Sequence, residues 1–241
     1  MTVQSAKRFY TQVAVATEAD GFRVELDGRP VKTPGRSPLR LPSRPLAESV
    51  AEEWDRQAET LVPETMPLTR LSNTALDRIS PRRDEAARLL ADYAAADLIC
   101  YRAEVPDSLV AAQARAWDEP LSHAARGFGI RLKPTSGIMP VDQPADSLEA
   151  AAALAERWQP FAVTALVEAA GAMKSLLLAL YHLEGPADLE TVWAAATVDE
   201  RHQESLWGVD AEAEAARAAL KADLAAAGRL YALLRQADAS A

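Results

Sequence analysis

Residues 22–55 read FRVELDGRPVKTPGRSPLRLPSRPLAESVAEEWD, and the periodicity of the chain changes within them. Phe22, Val24 and Leu26 alternate with Arg23 and Glu25, the two-residue repeat of a half-buried strand. Asp27-Gly28 follows, a hairpin signal, because the favoured two-residue turn needs residues that tolerate positive φ. Pro34-Gly35 turns the chain again, and SPLRLP supplies a short last strand. From Ser43 the spacing becomes helical. Pro45 sits near a helix start, and Leu46, Val50, Glu53 and Trp54 follow at steps of three and four. Upstream, FYTQVAVAT reads as a further strand before the turn EADG. The expected fold class is α+β. A small N-terminal domain with an antiparallel β-sheet and its following helices covers residues 1–80, and a larger all-α helical domain covers 81–241.

Beyond Trp54 nearly every apolar pattern is helical. Helices are expected over PLTRLSNTALDRIS, PRRDEAARLLADYAAADL and SLVAAQARAWDEPLSHAARGFG, then near 144–158, 160–183, 188–206 and 210–237. IRLKPTSGIMPVDQP reads as a loop or short hairpin. The segment 160–185 is long enough to suggest a membrane span. Glu168 and Lys174 interrupt it on different helix faces and much of its apolar content is alanine, so it reads as a buried central helix with no membrane insertion. Pro160 suits its first turn, and Gly171 lets a neighbouring helix approach.

Composition narrows the function. At 241 residues the chain can bury a substantial core, and 49% hydrophobic with 25% charged residues is ordinary for a globular protein. A net charge of −9 argues against nucleic acid as a partner, since a phosphate backbone calls for a basic face. The single cysteine, Cys100, excludes an intrachain disulfide framework and a cysteine-cluster zinc site. MTVQSAKRFYTQVAV has neither an apolar signal core nor an Arg/Ser-rich transit pattern, so a cytoplasmic, bacterial protein is expected.

Catalytic motifs are thin. No G-x-x-x-x-G-K-[ST] occurs, and the G-x-G of RGFGIR lacks a third glycine and follows a helix, so no nucleotide cofactor is expected. His123, His182 and His202 are scattered and form no H-E-x-x-H pair, so no metal is expected. Cys100 in ADLICYRAE has no local base and reads as a packing residue. The carboxylate pairs Glu52–Glu53 and Asp199–Glu200 keep open an acid–base enzyme built around Glu200, acting on an unknown small molecule.

One stretch resists a bland reading. PADLETVWAAATVDERHQESLWG looks helical throughout, with a stripe of Leu189, Trp193 and Ala196. Continued at the same spacing, that stripe reaches Glu200, Gln203 and Trp207. An ionised glutamate fully buried on such a track costs several kcal/mol unless paired. A groove or partner facing that end of the helix removes the difficulty.

Five segments also occur in a familiar order: VAEEWDRQ, MPLTRLSNTALDR, ADLICYRAE, QARAWDEPL and DERHQESLWG. Together they resemble the assembly chaperones of the F1 part of ATP synthase, the family that protects the α subunit, over roughly Arg8 to Gly208. The resemblance implies a β-containing N-terminal domain, a larger helical domain and no catalytic activity, metal or cofactor. The implied partner is the free F1 ATP synthase α subunit, held from aggregation by a monomeric chaperone until it joins the β subunit. Eukaryotic members are mitochondrial. The matching residues are Trp54, Asp55, Asn73, Asp97, Arg102, Trp117 and Gly208 as structural positions, with Cys100, Tyr101, Asp118, Lys174 and Ser175 beside them. Asp199, Glu200, Gln203 and Trp207 are the expected partner-binding residues. Relatives are more acidic before Gln203, where this chain has Arg201 and His202. Residue by residue, Trp54 and Trp117 read as core and Asn73 as a capping or bridging amide. Asp97 with Arg102 reads as an ion pair between a helix and the next segment.

Overall fold

The structure is a computed structural model, describing residues 6–137, 139, 141–208 and 210–238. Its elements fall into two compact units. One comprises residues up to Arg82 together with 160–164 and 229 onward, and the other comprises 83–159 and 165–228. The first unit is therefore not continuous in sequence: the last turns of the chain belong with the N-terminal segment.

In the first unit, β1 (Val13–Glu18) pairs antiparallel with β2 (Gly21–Leu26). The other side of β2 takes β3 (Arg29–Pro30) and β4 (Arg40–Leu41), each two residues long. Asp27 and Gly28 adopt positive φ at the hairpin turn, as their sequence demands. Helix α1 (Arg44–Asp55) packs on β1 and β2. Ser43 caps it by accepting from the Leu46 N–H, and Pro45 lies in its first turn. Its buried face is Leu46, Ala47, Ser49, Val50 and Glu53. Helix α2 (Pro67–Thr74) follows and runs into a π-helical turn, Ala75–Ile79.

The second unit is helical: α3 (Arg83–Ala95), α4 (Asp107–Phe128), α5 (Ala145–Arg157), most of α6 (Pro160–Met173), α7 (Leu176–Leu183), α8 (Leu189–Ala196), α9 (Val198–Trp207) and the first part of α10 (Ala211–Asp238). The strands β5 (Tyr101–Arg102) and β6 (Thr135–Ser136) form a short parallel pair. The antiparallel N-terminal sheet and larger helical region are those expected from the periodicity. The described residues of 130–144, read as a loop or short hairpin, are loop apart from Thr135–Ser136, which pair with Tyr101–Arg102. Two local readings are corrected.

The single central helix expected over 160–183 is two helices. Lys174 takes a left-handed conformation (φ 53°) after α6, and Ser175 starts α7 by accepting from the Leu178 N–H at 3.0 Å. The long helix expected over 188–206 is also two. Thr197 (φ −116°, ψ 22°) ends α8, donating from both its amide and its Oγ1 to the Trp193 carbonyl. Among the described residues no helix is long and apolar enough to cross a membrane.

Candidate functional site

The break at Thr197 answers the question raised by Glu200. A helix continued from α8 would carry Glu200, Gln203 and Trp207 on the stripe that buries Trp193 and Ala196. The helix instead restarts at Val198, and none of the ten residues of α9 is fully buried: Glu200 still shares a cavity with Trp193 and Ala196, while Gln203 and Trp207 are exposed. Trp207 is 85% exposed and Leu206 62% exposed, the largest apolar side chains of α9, side by side at its end. Gln203 is also exposed, and Gly208 (φ 88°) stops the helix with its amide on the Glu204 carbonyl.

Glu200 is half-buried at the mouth of a cavity of about 70 Å³ lined by Leu98, Met173, Lys174, Trp193 and Arg217. Among the described residues no hydrogen bond or ion pair holds its carboxylate. Of the two cations in the cavity wall, Lys174 and Arg217, Arg217 of α10 is committed to a pair with Glu204. Asp199, one residue earlier, is held: Gln113 of α4 donates to its Oδ1 at 2.7 Å, while the Gln113 carbonyl oxygen accepts from the Ala103 amide at 2.8 Å. One amide thus ties α9 to α4 and to the chain after β5. Asp199 positions the helix, Glu200 is left half-buried without a partner among the described residues, and Trp207 is exposed.

The other expected motif residues serve the scaffold. Trp117 is fully buried and donates from Nε1 to the Ala195 carbonyl at 2.8 Å, joining α4 to α8. Arg102 lies over its ring, 5.1 Å from the centroid, and pairs with Asp118 at 3.0 Å. The expected Asp97–Arg102 ion pair does not form. Asp97 is buried and accepts from the Ser175 hydroxyl (2.6 Å) and from the amides of Leu177 (3.0 Å) and Ile99 (3.2 Å). It is the anchor that breaks the chain between α6 and α7. Burial pushes its carboxyl up to about 6 despite those donors. Cys100 beside it is buried, and burial followed by the Asp97 charge drives its thiol up to about 12, far from a nucleophile.

In the first unit, Trp54 and Asp55 end α1 where the N-terminal segment docks. The Tyr10 hydroxyl donates to the Trp54 carbonyl at 2.7 Å, and Arg8 donates to the Asp55 carbonyl at 2.8 Å and to the Gln57 carbonyl. The Arg8 cation suits the negative end of the helix dipole. Asn73 is half-buried, its Oδ1 enclosed without a partner among the described residues.

Glu53 is the residue that sequence reasoning missed. Its carboxylate accepts from the amides of Leu68 (2.7 Å) and Thr69 (2.8 Å) and from the Thr69 hydroxyl (2.7 Å). It caps α2, whose preceding Met66 has no capping oxygen. A signal existed in the buried-face spacing Leu46, Val50, Glu53. The distant helix start it serves had none.

The geometry weighs against small-molecule catalysis at Glu200. A cavity of about 70 Å³ is well below the roughly 300–1,000 Å³ of ligand pockets, and Glu200 is the only carboxylate among its lining residues. Among the described residues no group of three or more histidine, cysteine or acidic side chains is placed to hold a metal.

The chain has close structural counterparts. The family described as ATP12 chaperone protein matches residues 7–125. The crystal structure of Atp12 from Paracoccus denitrificans is similar at a TM-score of 0.90 and 39% identity, covering 95% of this chain and 98% of that one, and an aspartate-to-lysine mutant of that protein gives the same values. The Agrobacterium tumefaciens protein Atu1473 follows at a TM-score of 0.88 and 38% identity, over 95% of this chain and 86% of that one. Mitochondrial atp12 of Schizosaccharomyces pombe is 23% identical over 216 residues, 85% of this chain and 74% of the yeast protein. The chain belongs to the ATP12 chaperone family. It is a chaperone of ATP synthase assembly, as the five ordered segments led one to expect.

Proposed function

We propose that this chain binds the free α subunit of F1 ATP synthase, without catalysis or cofactor, and keeps it from aggregating until it joins the β subunit. It acts as a monomer in the bacterial cytoplasm. The observation that carries the reading is the end of α9: Leu206 and Trp207 exposed together, with an unpaired Glu200 on the same short helix. An exposed tryptophan beside a leucine is costly to leave in water and is the kind of residue that anchors a protein interface. A half-buried carboxylate with no internal partner supplies selectivity for a basic group on the client.

Co-purification tests it. The chain should retain the cognate free α subunit and not assembled F1, and Trp207→Ala should lose that retention while remaining folded. Equal retention by the Trp207→Ala protein would remove α9 from the interface. Failure of the native chain to retain any α subunit would remove the client.

A further inference from the structure

The two edges of the N-terminal sheet are treated very differently. On one side, β3 and β4 are only two residues long and carry Pro30 and Arg40, both common means of blocking an edge. On the other, β1 runs for six residues, VAVATE, in unbroken register with β2 from Val13↔Leu26 to Glu18↔Gly21. It has no lysine, no proline and no bulge, and its one charge, Glu18, is occupied by Arg23 and Arg40 at its end.

The backbone of β1 can be assigned group by group. The Asp27 amide donates to the Gln12 carbonyl at 3.0 Å, so the hydrogen-bonded pairs with β2 fall on the even-numbered residues of β1. Val24, opposite Val15, gives its carbonyl to Val31 on the far side of β2, which agrees. The N–H and C=O groups of Val13, Val15 and Thr17 therefore point away from the sheet, and among the described residues none has a hydrogen-bond partner.

A groove of about 380 Å³ runs along this edge, with Val13, Ala14, Val15 and Ala51 as its apolar surface and Glu48, Glu52 and Asp55 of α1 as its wall. These α1 positions are spaced i, i+3, i+4, i+7 and form one helix face. Their carboxylates are mostly solvent-exposed and, among the described residues, held only by pairs to Arg44, Arg56 and Arg8, which do not line the groove. Such pairs are worth a few tenths of a kcal/mol to about 1 kcal/mol and yield to an incoming cation.

We propose that β1 is a docking edge for an extended segment of a protein client with alternating apolar and basic side chains, which adds as a fifth strand and sets its cations against Glu48, Glu52 and Asp55. The client class rests on the chaperone reading above, but the surface is separate from α9. Backbone bonding to Val13, Val15 and Thr17 supplies affinity, and the acidic wall selects the charge. A second copy of this chain is a poorer occupant. Antiparallel pairing of two β1 edges about a two-fold axis puts both α1 helices on one sheet face, acidic wall to acidic wall.

The probe is a synthetic ten-residue peptide alternating Val and Lys, with a Val/Glu peptide as its counterpart. The Val/Lys peptide should slow hydrogen exchange at the amides of Val13, Val15 and Thr17, and the Val/Glu peptide should not. Val15→Pro removes one outward N–H and no bond to β2, so the fold should stand while peptide affinity falls at least tenfold. Equal affinity for a folded Val15→Pro protein, equal binding of the two peptides, or no protection of β1 overturns the proposal. So does protection that grows with protein concentration alone, which would make a second copy the occupant. Loss of α-subunit retention in Trp207→Ala with Val/Lys binding intact tests the α9 reading separately.

Discussion

Two buried carboxylates, Asp97 and Glu53, hold this molecule in shape, and both do so by accepting bonds from helix starts elsewhere in the chain. Glu53 leaves the Leu68 and Thr69 amides unpaired if it is removed, so Glu53→Ala should destabilise the protein by on the order of 3 kcal/mol, read by urea unfolding. Glu53→Gln should cost less, because an amide oxygen still accepts. Asp97 makes a different, pH-dependent mark. Its carboxyl lies at about 6 in the folded chain against about 4 when unfolded, so the native state binds the proton more tightly. Its contribution to stability is full below pH 4 and is lost as the pH rises through 6. The loss is roughly 3 kcal/mol over that window. Asp97→Asn cannot titrate. Whatever its own cost, the difference between its urea midpoints at pH 4.5 and pH 7 should be smaller than that of the native chain. An unchanged difference would assign the slope to another group.

At the scale of elements, the short helix α9 owes its surface to the residue before it. Thr197 turns its hydroxyl and amide back onto the Trp193 carbonyl, and the helix that restarts after it has no fully buried residue, with Glu200 half-buried and free of internal bonds among the described residues and Trp207 exposed. Stability and binding should therefore separate. Glu200→Ala removes no internal bond and should change unfolding free energy by less than about 1 kcal/mol while weakening α-subunit retention. Glu200→Lys should weaken retention further, by placing like charges together against a basic client. A buried, paired glutamate would instead cost roughly 3–5 kcal/mol on truncation. A large fall in melting temperature with normal retention would make Glu200 part of the scaffold. Asp199, fixed by Gln113, is the internal control: Asp199→Ala should loosen α9 and lower the melting temperature.

At the scale of the whole molecule, an acidic chain offers an exposed apolar anchor and an open strand edge, with no phosphate loop anywhere in its sequence. Aggregation of α subunit diluted from urea should then be suppressed by the chain alone, and added ATP should change nothing in light scattering. A requirement for nucleotide would contradict a passive holdase. Suppression should also weaken with salt, because a net charge of −9 attracts a basic client segment through a screened field.

What the amino-acid order settled unaided was local. The two-residue alternation to Leu41, the Asp27-Gly28 turn and the helical spacing from Ser43 depend on neighbours a few positions apart, so the α+β class was legible, as was the family from its ordered segments. The interruptions were not. Lys174-Ser175 breaks a helix because Asp97, far upstream, binds the Ser175 hydroxyl, and Glu53 was assigned no role because the helix it caps begins fourteen residues later. The same holds for Asp199 and Glu200, adjacent and alike in sequence. Only the packing of α9 on α4, which brings Gln113 to one carboxylate and not the other, distinguishes the residue that holds the helix from the residue it displays. Periodicity reads contacts within an element, and these were decided by bonds between elements.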